Sequence, residues 1–83
     1  MTRTTRQEIV EIYLELPPVD IAYLKFILES YEGIGVMRTI DRTKAVVVLM
    51  IAADFLEDAR DLLASLRPEV PWREIERPDE LGE

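Results

Sequence analysis

The spacing of hydrophobic residues divides this chain into six segments. Apolar residues alternate with polar ones from Glu8 to Leu16, which is typical of a strand with one buried face. From Ile21 to Tyr31 they recur at intervals of three and four, which predicts a helix. The same reasoning along the whole chain predicts strand 8–16, helix 21–31, strand 34–41, strand 45–52, helix 56–66 and strand 70–76.

The order β-α-β-β-α-β predicts a ferredoxin-like α+β two-layer sandwich. Its four-stranded antiparallel sheet has the first and third strands at the centre and both helices on one face, so the other face is open. All 83 residues are expected to form one domain, with an ordered core at 8–76 and flexible ends at 1–7 and 77–83. The fold hosts many unrelated activities and does not by itself indicate a function.

Local signals assign residues to helix ends and faces. Asp20 is expected to be the N-cap or a first-turn carboxylate of the first helix, and Asp54 with Glu57 resembles a capping box for the second. Gly33 is expected at positive φ after the first helix. The inward residues predicted for the helices are Ile21, Leu24, Ile27, Leu28, Tyr31, Leu56, Ala59, Leu62, Leu63 and Leu66. In the second strand, the set assigned to the helix side is Ile34, Val36, Arg38 and Ile40.

The third strand is apolar on both faces, which is unusual for a sheet with one open side. Whichever face meets the helices, the other is expected to expose an apolar patch large enough to mark an interface. The residues assigned to this interface are Ile9, Tyr13, Met37, Val46, Val48 and Met50. The alternative is ordinary β-propensity in a central strand, shielded by long neighbours such as Glu11 and Glu15.

Composition limits the chemistry of the domain. There is no cysteine and no histidine, so thiolate chemistry, zinc sites and imidazole catalysis are excluded, and neither a metal nor a cofactor is predicted. With no disulfide to support so short a chain, self-association as a homodimer or higher oligomer is expected. The scarcity of amide side chains and the high charge resemble a thermophile composition.

The net charge of −7 argues against nucleic acid and anionic membranes as partners, because both require a basic face. The longest apolar stretch has nine residues, Ala45 to Ala53, far fewer than the roughly 20 that a spanning helix needs. No signal peptide is visible at the N-terminus. The expected location is the cytoplasm.

Two segments carry a resemblance to a known family. Residues 23–33, YLKFILESYEG, followed by 36–41, VMRTID, resemble a family of short bacterial proteins known only as a domain of unknown function. The resemblance covers about residues 8–76 and implies the fold, not an activity.

The element order is also similar to that of ACT domains, which pair and often bind an amino acid near the first loop. A glycine in that loop normally lets backbone N–H groups approach the ligand. Here the loop runs from Leu16 to Asp20 without a glycine, and Pro17 and Pro18 have no N–H. The resemblance therefore implies ACT-like pairing but not an ACT-type amino-acid site.

Few residues offer candidate chemistry, and each has a structural alternative. Glu11 and Glu15 flank Tyr13 on one strand face and could hold a cation or exchange a proton; the alternatives are solvated carboxylates or pairs with arginines across an interface. Arg38 with Thr39 could bind an anion, or Arg38 could pair with Asp41 or Glu32. Gly33 and Gly35 could open a ligand groove around Ile34.

Trp72 is expected to cap the core or a subunit contact. No catalytic residue is assigned, and the ligand-binding candidates are Gly33, Gly35, Arg38 and Thr39.

Together these observations predict a small cytoplasmic, non-catalytic interaction or regulatory module, ACT-like and self-associating, with a small metabolite at the subunit junction. The alternative is an enzyme acting on a small ligand with a carboxylate-lined site on the open sheet face.

Overall fold

A computed structural model describes residues 8–31 and 33–78 of the chain. The predicted flexibility of residues 1–7 and of the end of the chain from 79 onward therefore falls outside the described residues. The described elements are β1 (Ile9–Glu15), α1 (Ile21–Glu29), β2 (Gly35–Asp41), β3 (Val46–Ala52), α2 (Leu56–Leu66) and β4 (Arg73–Ile75). One-turn 3₁₀ segments, Pro18–Asp20 and Ala53–Phe55, lead into the two helices.

The four strands form one antiparallel sheet in the order β2-β3-β1-β4. Each β-α-β half places its two strands parallel with a gap between them, and a strand of the other half fills that gap. This is the ferredoxin-like arrangement, so the predicted fold is confirmed. The first and third strands lie at the centre of the sheet, as expected.

The core lies between the sheet and the two helices. β1 contributes Ile12 and Leu14 to it, and β3 contributes every second residue, Val47, Leu49 and Ile51. From the helices, the fully or nearly fully buried residues are Leu24, Leu28, Ala59, Leu63 and Leu66. Each fully buried aliphatic side chain contributes about 1.5–3 kcal/mol to the free energy of unfolding. The core on this side of the sheet therefore carries most of the stability of the domain.

The face assigned to β2 from its sequence is wrong. Met37 pairs with Leu49 and is buried among the helix-side residues, whereas Val36 and Arg38 pair with Met50 and Val48 on the open face. Both sets of alternate residues in β2 contain apolar side chains, so the alternation alone did not distinguish them. Ile34 does pack in the core, as predicted, but from the turn that precedes the strand. Met37 therefore cannot belong to an interface on the open face.

The helix ends agree with the prediction only in part. Asp20 is the N-cap of α1, as predicted, although its side chain makes no capping hydrogen bond. Asp54 lies inside the 3₁₀ segment and α2 begins at Leu56, so no capping box forms. The carboxylates there act through the helix dipole instead, with Glu57 and Asp58 in the first turn. Tyr31 lies beyond the end of α1 and is half exposed rather than in the core.

Trp72 closes the core at the exit from α2. Its indole Nε1–H donates to the carbonyl oxygen of Leu63 at 2.7 Å, and its ring is buried. The guanidinium of Arg67 lies 3.9 Å from the ring centroid, a cation–π contact. The prediction that Trp72 caps the core is confirmed.

Two glycines between α1 and β2 serve different purposes. Gly33 has a φ of 83°, so its predicted positive φ is confirmed. It lies in a turn in which the Ile34 N–H donates to the Tyr31 carbonyl oxygen. Gly35 instead lies against β3: a Cβ added there would be 2.5 Å from the carbonyl oxygen of Met50 and 2.7 Å from Cδ1 of Ile51. A Cβ at Gly33 would meet nothing within 4 Å.

We expect Gly35→Ala to lower the free energy of unfolding by roughly 2–4 kcal/mol, because the added methyl group collides with the backbone of the central strand. Gly33→Ala should cost only about 1 kcal/mol, since strain at positive φ is its only penalty. Urea unfolding of the two variants measures both values. Equal losses would contradict the close approach of β2 and β3 at Gly35.

Candidate functional site

The centre of the open sheet face is covered within a single chain. Val48 lies between its cross-strand neighbours Arg38 and Tyr13, and Ile75 lies on the other side of Tyr13. Val46 and Val48 are each only 4% exposed, and Tyr13 is 7% exposed. The expectation that these central valines would be bare is therefore wrong. Shielding by neighbouring side chains, the alternative considered for the sequence, describes the structure better.

The Tyr13 side chain is held on the open face by a polar contact with a residue of its own strand. Its hydroxyl donates to Oε1 of Glu11 at 3.0 Å, and Nη1 of Arg77 lies 3.5 Å from the same oxygen. Burial of the phenol raises the pKa of Tyr13, and the hydrogen bond to Glu11 raises it further, while the charge of Arg77 opposes the increase. The hydroxyl is therefore a hydrogen-bond donor rather than a base at neutral pH.

The two carboxylates that flank Tyr13 are each paired with an arginine. Glu11 faces Arg77, and Glu15 forms an ion pair with Arg73 of the neighbouring strand β4. Both arginines belong to the same chain, whereas the alternative considered for the sequence was pairing with arginines across an interface. Within residues 8–31 and 33–78, no three Asp, Glu, His or Cys side chains come close enough to hold a metal ion.

The exposed apolar surface of this face lies at one end of the sheet. Ile9 pairs with Ala52, and Val36 pairs with Met50. Ile9 is 59% exposed and Val36 is 52% exposed, while Met50 and Ala52 are partly exposed. We call these residues, Ile9, Val36, Met50 and Ala52, the apolar end of the open face. The sequence prediction missed Val36 here because it assigned Val36 to the helix side.

The four predicted ligand-binding residues do not form one site. Arg38 lies on the open face, whereas Thr39, its neighbour in the strand, pairs with Val47 on the helix side. The space beside Gly35 is occupied by β3, and Gly33 lies in the turn before β2. Arg38 is exposed and makes no ion pair with a described residue, and Glu32, one partner considered for it, lies outside that set. Asp41, the other, accepts the backbone N–H of Lys44 at 3.0 Å through its side chain.

A cleft of about 430 Å³ does lie at Ile34, on the helix layer of the domain. It is formed by the turn after α1 and by α2 with the 3₁₀ segment that precedes it. The lining residues are Tyr31, Ile34, Phe55, Asp58, Asp61, Leu62 and Ser65. The sequence prediction of a groove around Ile34 therefore coincides with a cleft, but Gly33 and Gly35 do not line it. The binding of a ligand there stays a prediction.

The polar groups of this cleft are acidic. Asp58 and Asp61 are separated by three residues on α2 and so lie on the same side of the helix. Neither carboxylate forms a hydrogen bond or ion pair with a described residue. The hydroxyl of Ser65 donates to the Leu62 carbonyl oxygen at 2.7 Å and is thereby occupied within the helix. No local pattern in the sequence predicts the cleft, because its lining residues come from two separate segments, near 31–34 and 55–65.

Comparison with known proteins bears on the family of this chain. Residues 14–70, more than half of the chain, match the model of a family described as a domain of unknown function (DUF4911). The chain belongs to this family. The predicted membership in a family without an assigned function is thus confirmed, and its match covers α1, α2 and the three strands β1, β2 and β3 in whole or in part.

Searches of curated proteins and of solved structures found no match. Among the described residues, no helix has the length and hydrophobicity needed to cross a membrane. The cytoplasmic location and thermophilic origin stay predictions.

We expect the phenol of Tyr13 to titrate above its ordinary pKa of 10.0, since burial and Glu11 both favour the protonated form. Because the pKa is raised in the folded state, the associated stability is fully present below pH 10 and is lost as the pH rises through the folded pKa. Glu11→Gln should lower the pKa of Tyr13, whereas Glu8→Gln, at an exposed position, should leave it unchanged. Carbon-13 NMR of the tyrosine Cζ measures the pKa, and a value at or below 10.0 in the unaltered protein would contradict the geometry.

Proposed function

We propose that this domain is a non-catalytic interaction module, ACT-like in its element order, that forms a homodimer through the apolar end of its open sheet face. The observation that carries the proposal is the position of this surface. Ile9 and Val36 are both more than half exposed on a face that no helix covers. Four neighbouring apolar side chains on adjacent strands are typical of an interaction surface rather than of scattered exposed residues.

Size also supports self-association. A domain of 83 residues buries only about 60–65% of the surface that its unfolded chain exposes, so its own core leaves a small margin of stability. The chain has no cysteine with which to add a disulfide. Covering Ile9 and Val36 would remove further apolar surface from water, and a two-fold axis would bring the apolar end of one copy against that of another.

Charge favours an apolar contact over an ionic one. Each copy carries a net charge of −7, so two copies repel one another at low salt. On the open face, Glu15 already pairs with Arg73, and Glu11 with Arg77, inside the same chain. The association we propose therefore depends on Ile9, Val36, Met50 and Ala52 rather than on new ion pairs.

The arrangement around Tyr13 favours binding over catalysis. An enzyme on the open face would need at least one carboxylate free to accept a proton from a substrate. Glu11 instead accepts the Tyr13 hydroxyl and faces Arg77, and Glu15 faces Arg73. A small-ligand enzyme with a carboxylate site on this face is for this reason the weaker candidate. The cleft lies on the helix layer, so we propose that ligand binding and self-association use separate surfaces.

We expect sedimentation equilibrium of the protein at micromolar concentrations to give the mass of a dimer. Val36→Glu should raise the dissociation constant about tenfold or more, because it places a charge in the apolar contact. Phe26→Glu is the matched control: Phe26 is 69% exposed on α1, in the helix layer, and its substitution should leave the dimer intact. A monomer at about 100 μM, or dissociation by Phe26→Glu but not by Val36→Glu, would overturn the proposal.

The salt dependence gives a second readout of the same contact. Raising the ionic strength from about 0.05 to about 0.5 M should strengthen the dimer, because salt screens the repulsion between two acidic copies. Weakening by salt would mean that intersubunit ion pairs hold the dimer together, contrary to the proposed contact.

A further inference from the structure

The cleft at Ile34 has the size of a small-molecule site. Its volume of about 430 Å³ lies in the lower part of the range usual for such sites. Ile34, 4% exposed, and the partly buried Leu62 supply apolar surface connected to the core. Tyr31 and Phe55 remain 50% and 38% exposed at its edge, so two aromatic side chains are available to a ligand.

The charged side chains among the described residues that line the cleft are acidic. They are Asp58 and Asp61, and no lysine or arginine of residues 8–31 and 33–78 lines it. Like charges three residues apart on a helix destabilise it. The helix dipole accounts for Asp58, which lies in the first turn of α2, but not for Asp61, which lies beyond it. Asp61 is exposed and makes no hydrogen bond or ion pair with a described residue, so its carboxylate is available to a ligand in the cleft.

The basic groups nearest in sequence are already engaged. Arg60 is next to Asp61, but its guanidinium makes two contacts with the carboxylate of Glu74, at 3.1 and 3.4 Å. Arg67, further along, lies over the ring of Trp72. A counter-ion for Asp58 and Asp61 is thus not supplied by α2 or by the segment that follows it.

We propose that this cleft binds a small organic cation, a guanidinium or an alkylammonium. A carboxylate pair gives charge-assisted hydrogen bonds to N–H donors, and aromatic faces attract cations. The apolar surface at Ile34 and Leu62 would take the alkyl part of the same ligand. This inference is independent of the proposed dimer, since it concerns residues in the helix layer.

The chain itself contains one rival for this position. Residues 1–7 include Arg3 and Arg6 and no acidic residue. The Glu8 carbonyl oxygen accepts the Ala53 N–H at 2.9 Å, so Glu8, which follows this basic segment in the sequence, is joined to the 3₁₀ segment that contains Phe55. An experiment on a free cation must therefore separate it from the chain's own arginines.

The test is an NMR titration of the full chain with butylguanidinium and with butylurea, which has the same number of non-hydrogen atoms and no charge. We expect butylguanidinium to saturate in the millimolar range, the order usual for a ligand of about eight non-hydrogen atoms. Its shifts should be confined to amides near Tyr31, Ile34 and residues 55–65. Butylurea should bind at least about tenfold more weakly. Equal binding of the two, or no saturation by the cation, would overturn the proposal.

Variants on the same helix locate the charge effect. Asp58→Asn with Asp61→Asn should weaken butylguanidinium binding about tenfold or more. Asp54→Asn with Glu57→Gln removes the same charge from neighbouring residues that do not line the cleft, and should change the affinity less than about threefold. Equal losses in the two double variants would mean a general attraction to the acidic helix end, and would overturn the site. Circular dichroism melts confirm that each variant is folded.

The last arm separates the two sources of a cation. Arg3→Ala with Arg6→Ala should leave the affinity for butylguanidinium unchanged. A gain of about tenfold would mean that these arginines occupy the cleft, and would overturn its assignment to a free ligand.

Discussion

The architecture depends on one constraint: the central strand β3, Val46–Ala52, is apolar on both faces and must be covered twice. The helices cover one face, where Val47, Leu49 and Ile51 have no exposed surface. The other face is open, yet Val46 and Val48 are almost as well buried there. The side chains of the flanking strands supply that second layer, with Tyr13 next to Val48 in the register. In a flat open sheet such a strand would expose a hydrophobic surface that favours aggregation. Here side chains of the same chain keep it from water.

This second layer explains the division of the open face. Polar partners hold Tyr13 in place: Glu11, on the same strand, accepts a hydrogen bond from its hydroxyl, and Arg77 forms an ion pair with Glu11. Two residues further along β1, Glu15 forms an ion pair with Arg73 of the adjacent strand β4. Within residues 8–31 and 33–78, nothing comparable covers the apolar end. The same arrangement therefore pairs both carboxylates and leaves the apolar surface on which the proposed dimer depends.

The hydrophobic periodicity was sufficient to predict the fold, but it did not show which face of β2 meets the helices. The six elements and their order followed from hydrophobic spacing, except that β3 was predicted from an uninterrupted apolar run. β2 was ambiguous, since either alternate set contains apolar residues, and only its register with β3 places Met37 inside. The end of α1 was predicted too late, so Tyr31 was assigned to the core although it lies at the cleft.

The candidate sites were harder to predict for a related reason. The cleft combines residues near 31–34 with residues 55–65, and no local pattern links these segments. The shielding of Val46 and Val48 depends on side chains of the two flanking strands, β1 and β2, which a single-strand pattern cannot contain. Membership in the DUF4911 family supports the fold. Because the family is described as a domain of unknown function, any chemistry has to be inferred from the residues of this chain.

The most direct test of the central claim is amide hydrogen exchange of β3 in a monomeric form of the domain, obtained by dilution. If one chain covers both faces of β3, the amides of Val47, Val48 and Leu49 should exchange only through global unfolding and remain among the slowest in the protein. If their protection disappears when the protein dissociates, a second copy rather than Tyr13 and its neighbours covers the open side of β3, and the account is wrong.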